Sequence, residues 1–170
     1  MLGAVRARRR QFDAGLLLIC LAMLAYALFL QYQRGLEPCP LCIFQRIAVI
    51  GLAVGFALAA LIADGWRVLR GIVSVLLGLV AVAGAGVAIR HLYIQSLPPG
   101  RVPSCGATLD YMWDVFPAME VLRKVLTGSG ECARIDWTFL GLSMPGWVLI
   151  VMVVLGTAGV VVNWPARREH

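Results

Sequence analysis

Four stretches of this chain are long enough and free enough of charge to cross a bilayer as helices. Nothing else in the sequence constrains the fold as strongly. No charged residue falls from Ala14 to Gln33, from Ile47 to Ala63, from Gly71 to Ile89 or from Trp137 to Ala166. A hydrocarbon core of about 30 Å needs about 20 apolar residues as a helix. Backbone polar groups cannot go unpaired in lipid, so each stretch must be helical or belong to a closed barrel. The alternating strands of a barrel are absent. The expectation is an all-α membrane protein, a four-transmembrane-helix bundle forming a single integral membrane domain over 1–170. The spans are expected at about 14–33, 43–63, 69–90 and 145–164. Composition agrees, with 61% apolar and 14% charged residues against about 45–50% and about 25% in soluble domains. No large soluble catalytic domain fits in 170 residues. The net charge of +6 is scattered rather than gathered into a patch, so no nucleic-acid partner is expected.

Orientation follows from Lys and Arg near the span ends. With both termini in the cytoplasm, that side collects Arg6, Arg8, Arg9, Arg10, Arg67, Arg70, Arg167 and Arg168 on short segments. The opposite side carries its basic residues on longer segments, partly balanced by acids. Two loops, about 34–42 and 95–144, then lie outside the cytoplasm. The first span, with its basic start and Ala25-Tyr26-Ala27, also has features of a cleavable signal peptide. Its apolar run continues through Leu30, which favours an uncleaved anchor. Within the long loop, Val115, Phe116, Met119, Leu122, Val125 and Leu126 fall on one helical side, opposite Glu120, Arg123 and Lys124. This predicts a short helix at the membrane interface. Small residues at four-residue spacing, Gly51 and Gly55, Ala81 and Ala85, Gly84 and Ala88, are assigned to close helix packing.

The cysteines carry the chemistry. Cys39-Pro40-Leu41-Cys42 stands at the outer mouth of the second span, Cys105 and Cys132 lie in the long loop, and Cys20 sits alone inside the first span as a small hydrophobe. An even set of four in an oxidising compartment reads as disulfides. A zinc site usually shows two closely spaced ligand pairs, which these four do not, and no metal is expected. A thioredoxin fold would need a βαβ context. An inert staple and a redox pair remain. Cys42 stands in the first turn of a helix whose free N–H groups and dipole favour a thiolate, and Arg46 lies one turn further on the same face. An electron acceptor dissolved in the bilayer can reach this position.

These segments together resemble the disulfide bond formation protein B (DsbB) family of bacterial inner membranes, over nearly the whole chain. The resemblance is carried by Pro38-Cys39-Pro40-Leu41-Cys42-Ile43-Phe44-Gln45-Arg46, by Arg90-His91 with Gln95, by Cys105, and by Ser129-Gly130-Glu131-Cys132-Ala133 leading to Trp137-Thr138-Phe139-Leu140-Gly141-Leu142-Ser143-Met144-Pro145. Gln45 is a departure from the resemblance, since the best-known member of the family has an acid at that place.

The resemblance implies a protein-dithiol:quinone oxidoreductase that reoxidises a periplasmic thioredoxin-fold (DsbA-like) dithiol oxidase and passes the electrons to ubiquinone or menaquinone. Carried over residue by residue, Cys105 and Cys132 would be the disulfide offered to the soluble partner and Cys39 and Cys42 the one facing the quinone. Arg46 matches the quinone-site arginine, and His91 and Gln95 match positions near the ring. Two rivals stay open on sequence grounds: a non-catalytic scaffold with two structural disulfides, and a paralogue serving a dedicated substrate oxidase.

Overall fold

The computed structural model describes residues 2–62, 66–98, 114–127 and 130–164. Four long helices form an up-and-down bundle: α1 (Leu2–Arg34), α2 (Pro40–Leu61), α3 (Arg67–Gln95) and, last in the chain, α6 (Met144–Asn163). Each contains a window long and apolar enough to span a membrane. Neighbours in sequence pack side by side, and α6 returns to lie along α3. One end of the bundle therefore gathers the C-termini of α1 and α3 with the N-termini of α2 and α6.

The core is drawn from one stripe of each helix. In α2 the buried positions Gln45, Val49, Leu52, Phe56 and Ala59 alternate in steps of four and three, which is the seam spacing of helices crossing at a shallow angle. Leu77, Ala81, Gly84, Ala88 and His91 of α3 and Val148, Met152, Leu155 and Gly159 of α6 face that seam. Cys20 is buried among them. Many other apolar side chains of the four helices, such as Leu18, Val54, Val82 and Val161, are exposed, as expected of a lipid-facing surface. Small residues set the α3–α6 distance: a Cβ placed on Gly156 would collide with the Ala81 Cβ.

The long uncharged stretch starting at Trp137 is not helical throughout. Residues Thr138–Phe139 (β1) and Leu142–Ser143 (β2) pair as an antiparallel hairpin before α6 begins. Its two-residue loop, Leu140 and Gly141, has positive φ at both positions, the geometry that suits the twist of a tight hairpin. Pro145 then takes the first turn of α6, where a missing N–H costs nothing. Tyr26, Trp137, Phe139 and Trp147 form a chain of ring contacts 5.9–6.2 Å apart along this hairpin. Such rings suit the boundary between lipid and water.

Ahead of the hairpin lie the short helices α4 (Ala118–Thr127) and α5 (Gly130–Ala133). The amphipathic helix expected in the loop corresponds to α4, which packs part of its apolar side on the bundle mouth. Val121 and Val125 turn inward against Leu41, Ile94 and the cysteines, while Val115 and Met119 stay exposed. Val121 is not on the predicted apolar side. It is buried because the helix leans over the bundle mouth rather than facing only outward.

At the far end of the bundle lies a polar cluster that the sequence does not announce. Asp13 is fully buried and accepts from Asn163 Nδ2 at 2.9 Å. Arg9 donates to Asn163 Oδ1 at 3.1 Å and to the Ile62 carbonyl at 3.0 Å. These bonds tie the ends of α1, α2 and α6 together.

Candidate redox centre

The centre is built at the N-terminus of α2. Cys39 is the N-cap residue in extended conformation, Pro40 follows at the first helical position, and the Cys42 N–H donates to Cys39 Sγ at 3.4 Å. One thiol of the C-x-x-C thus caps the helix that carries the other, and the two sulfurs lie 3.0 Å apart. Neither of the two is in a disulfide here.

The single turn of α5 brings Cys132 onto this pair. Its side chain is 0% exposed and packs with Cys39, Leu41, Ile94, Val121 and Val125. Cys39 Sγ, Cys132 Sγ and a ring nitrogen of His91 all lie within 4.8 Å of one another. The Cys39 thiol is pushed up to about 12: its hydrogen bond with Cys132 favours the thiolate, but the bond with Cys42 and burial together outweigh it. Cys105 lies outside the described residues.

His91 is 2% exposed and holds this arrangement from α3. Its Nε2 meets the Cys132 carbonyl oxygen at 3.1 Å, and its Nδ1 meets Gln45 Nε2 at 3.2 Å. A carbonyl can only accept, so the proton sits on Nε2, and Nδ1 then accepts from the Gln45 amide. The neutral ring is fixed in one tautomer, and a backbone atom of the loop is fixed to the bundle. Nε2 also stands 3.8 Å from Cys39 Sγ.

Arg46, half-buried one turn beyond Cys42, reaches across to α1. It donates to Gln31 Oε1 and, at 3.2 Å, to the Ala27 carbonyl oxygen. Gln31 is not singled out by the sequence analysis, although a glutamine near the end of an apolar span is a usable signal. Gln95 does not join the cysteine cluster by a hydrogen bond: its Oε1 accepts from Ser143 Oγ at 2.8 Å, linking α3 to the hairpin.

The description "Disulfide bond formation protein DsbB" belongs to the family model that matches residues 9–162. The chain is a member of the DsbB family. Curated relatives agree, each named Disulfide bond formation protein B. The protein of Methylococcus capsulatus is 47% identical over 152 residues, covering 89% of this chain and 92% of its own. That of Chromohalobacter salexigens is 52% identical over 139 residues, covering 82% and 81%. That of Xylella fastidiosa is 44% identical over 152 residues, covering 89% and 88%. Membership of the DsbB family makes this a disulfide-forming oxidoreductase of the membrane. The four-helix architecture read from the uncharged stretches is the one observed.

Proposed function

We propose that this protein reoxidises a thioredoxin-fold dithiol oxidase of the periplasm and delivers the electrons to quinone in the inner membrane, with both termini cytoplasmic and the cysteine loops outside. The observation that carries the reading is the burial of Cys132, a loop cysteine, against the Cys39–Cys42 pair at the bundle mouth. A structural disulfide between Cys105 and Cys132 would give Cys132 no reason to be there as a thiol.

The exchange balances as follows. A partner thiolate attacks the Cys105–Cys132 disulfide at Cys105 and frees Cys132. Cys132 attacks Cys39 of the Cys39–Cys42 disulfide and releases Cys42 as a thiolate. The partner's second thiol displaces Cys105, leaving the partner oxidised. Cys105 then attacks Cys132, restoring its disulfide and releasing Cys39, so the electron pair ends on the Cys39–Cys42 dithiol. Quinone, when bound, supplies an acceptor for two electrons and two protons. The residues fit such a ligand: Arg46 offers a cation half-buried one turn from Cys42, oriented by Gln31 and the Ala27 carbonyl, beside helices whose outer surfaces are apolar. Arg46 would orient and stabilise the acceptor beside Cys42. His91 would act on the loop through the Cys132 carbonyl, and Gln95 through Ser143, rather than by direct contact with the ring.

The test is quinone reduction by full-length protein in lipid nanodiscs, given a reduced thioredoxin-fold dithiol oxidase. Turnover is expected, lost in Cys39→Ser and Cys42→Ser and retained in Cys20→Ser. Cys132→Ser should trap a mixed disulfide between the partner and Cys105, visible on a non-reducing gel. An adduct mapping to Cys39 or Cys42 overturns the order of exchange. Four permanently oxidised cysteines without quinone reduction would leave a scaffold.

A further inference from the structure

Cys39, Cys132 and His91 form a compact set of soft and imidazole donors, with Cys42 beside it, and the imidazole nitrogen is the member that thiol exchange does not require. Two sulfurs and an imidazole nitrogen lie within 4.8 Å of one another, and the Cys42 sulfur is 3.0 Å from that of Cys39. Zinc bonds of about 2.3 Å to sulfur and about 2.0–2.1 Å to nitrogen place tetrahedral ligand atoms roughly 3.5–3.8 Å apart. The Cys39–His91 edge is already 3.8 Å. Cys42 lies outside the mutually close group of three, so its sulfur must swing away from that of Cys39 and toward Cys132 and His91 to become the fourth ligand. The three close donors come from the N-cap of α2, the short turn of α5 and α3, so they close around a point, and Cys42 stands beside them as the sulfur that would complete the shell.

The imidazole has the support a metal ligand requires. A ligating histidine normally uses its other ring nitrogen for a hydrogen bond that fixes the ring, and Gln45 stands at Nδ1 at 3.2 Å. Binding a cation through Nε2 would move the ring proton to Nδ1. A carboxamide can meet that change by turning over, presenting its oxygen where its nitrogen stood. The same step breaks the His91 bond to the Cys132 carbonyl, so metal binding and the observed tautomer exclude each other.

We propose that the reduced form of this centre is a Cys3His site for a d10 cation of the zinc class, and that its occupation holds the protein in the reduced state. Three thiols lose their protons to solvent as three metal–sulfur bonds form, and no sulfur changes oxidation state. A Cys39–Cys42 disulfide leaves only Cys132 and His91, so the oxidised protein has no site. While the cation is bound, none of the three sulfurs is free to attack a disulfide. The soft donor set favours zinc or cadmium over magnesium or calcium. The proposal needs only that these thiols can be reduced, and it stands whether or not quinone is the acceptor.

The experiment titrates reduced, full-length protein in nanodiscs with cadmium, following the ultraviolet thiolate-to-cadmium band. One cation per chain with the intensity of three sulfurs is expected, and no band from the oxidised protein. Cys132→Ser and Cys42→Ser should each reduce the intensity to that of two sulfurs, while Cys20→Ser and Cys105→Ser leave it unchanged. Gln45→Leu should weaken zinc roughly 10- to 100-fold against a chromophoric chelator, as loss of an outer partner does. X-ray absorption of the zinc-loaded, unaltered protein should show three sulfurs and one nitrogen, a readout that depends on no variant folding. A two-sulfur site indifferent to Cys132→Ser and His91→Ala would be simple chelation by the C-x-x-C and overturns the proposal, as does the absence of any band.

Discussion

His91 donates its Nε2–H to the carbonyl oxygen of Cys132 at 3.1 Å, and this bond holds the loop cysteine over the C-x-x-C. Gln45 fixes the donor tautomer from the other side of the ring. An ionised acid at position 45 could only accept, and so would demand a proton on Nδ1. The amide in this chain leaves a neutral ring free to donate from Nε2. A residue matched by resemblance to a quinone-site position thus also ties α3 and α2 to α5.

Removing the ring donor should loosen the docked loop. A buried hydrogen bond left unmade costs about 1–3 kcal/mol, or about 5- to 150-fold in an equilibrium constant. His91→Phe and Gln45→Leu are therefore expected to lower the population of the Cys39–Cys132 disulfide in a redox buffer by a factor in that range. Quantitative mass spectrometry of the trapped linkage measures it. An unchanged population in both variants would mean that packing by Val121 and Val125 holds Cys132 without the bond.

Cys39 should be a slow nucleophile in the reduced protein. Its thiol is pushed up to about 12 from an ordinary 9.0, so at pH 8 about one molecule in 10⁴ carries the thiolate. Iodoacetamide labelling of Cys39 at pH 8 is expected to lag far behind that of an exposed thiol, rising about tenfold per pH unit up to about pH 11. The folded dithiol binds this proton more tightly than the unfolded chain, a contribution complete below pH 9 and lost as pH rises through about 12. Rapid labelling at pH 8 would show that Cys39 is not held as a neutral thiol.

The four spans were legible because uncharged length is a one-dimensional property, and lipid leaves the backbone few choices. The C-x-x-C and Arg46 were legible because helix spacing places them on one face. What the sequence hid depends on distant pairs. Nothing local to Asp13 announces Asn163, and nothing local to Gln31 announces Arg46. The Trp137–Ser143 segment was hidden differently: it is apolar enough to pass for span, yet the Leu140–Gly141 turn and Pro145 divide it into a hairpin and a helix start.

Arg46 separates a role in quinone use from simple anchoring. A charge-assisted contact is worth about 1.5–3 kcal/mol, so Arg46→Met is expected to weaken quinone use about 10- to 150-fold. Arg46→Lys should be intermediate, because it keeps the charge and loses the planar fork. Gln31→Leu should shift the same parameter less, since the Ala27 carbonyl still receives one arm of the guanidinium. The measurement is steady-state kinetics with quinone varied and partner saturating. An unchanged apparent affinity for quinone in Arg46→Met would falsify the assignment.

The Asp13–Asn163 pair makes a prediction about stability that activity should not share. Asn163→Leu keeps the branching and number of side-chain heavy atoms but removes the donor to Asp13 and the acceptor for Arg9, both in a buried setting. Stranding buried polar groups costs about 1–3 kcal/mol, and more where a charge is involved, whereas replacing both partners by apolar groups can be nearly neutral. Asn163→Leu should therefore lower the thermal midpoint in detergent, and Asp13→Leu with Asn163→Leu should recover part of the loss. Arg9 keeps the Ile62 carbonyl in the double variant, which limits what it strands. Because the pair lies at the opposite end of the bundle from Cys39, disulfide-forming activity measured well below the transition should be unaltered in both proteins. Midpoint losses that simply add would show that the two residues are not coupled, and a fall in activity without a fall in midpoint would mean that this polar cluster acts on the distant thiols.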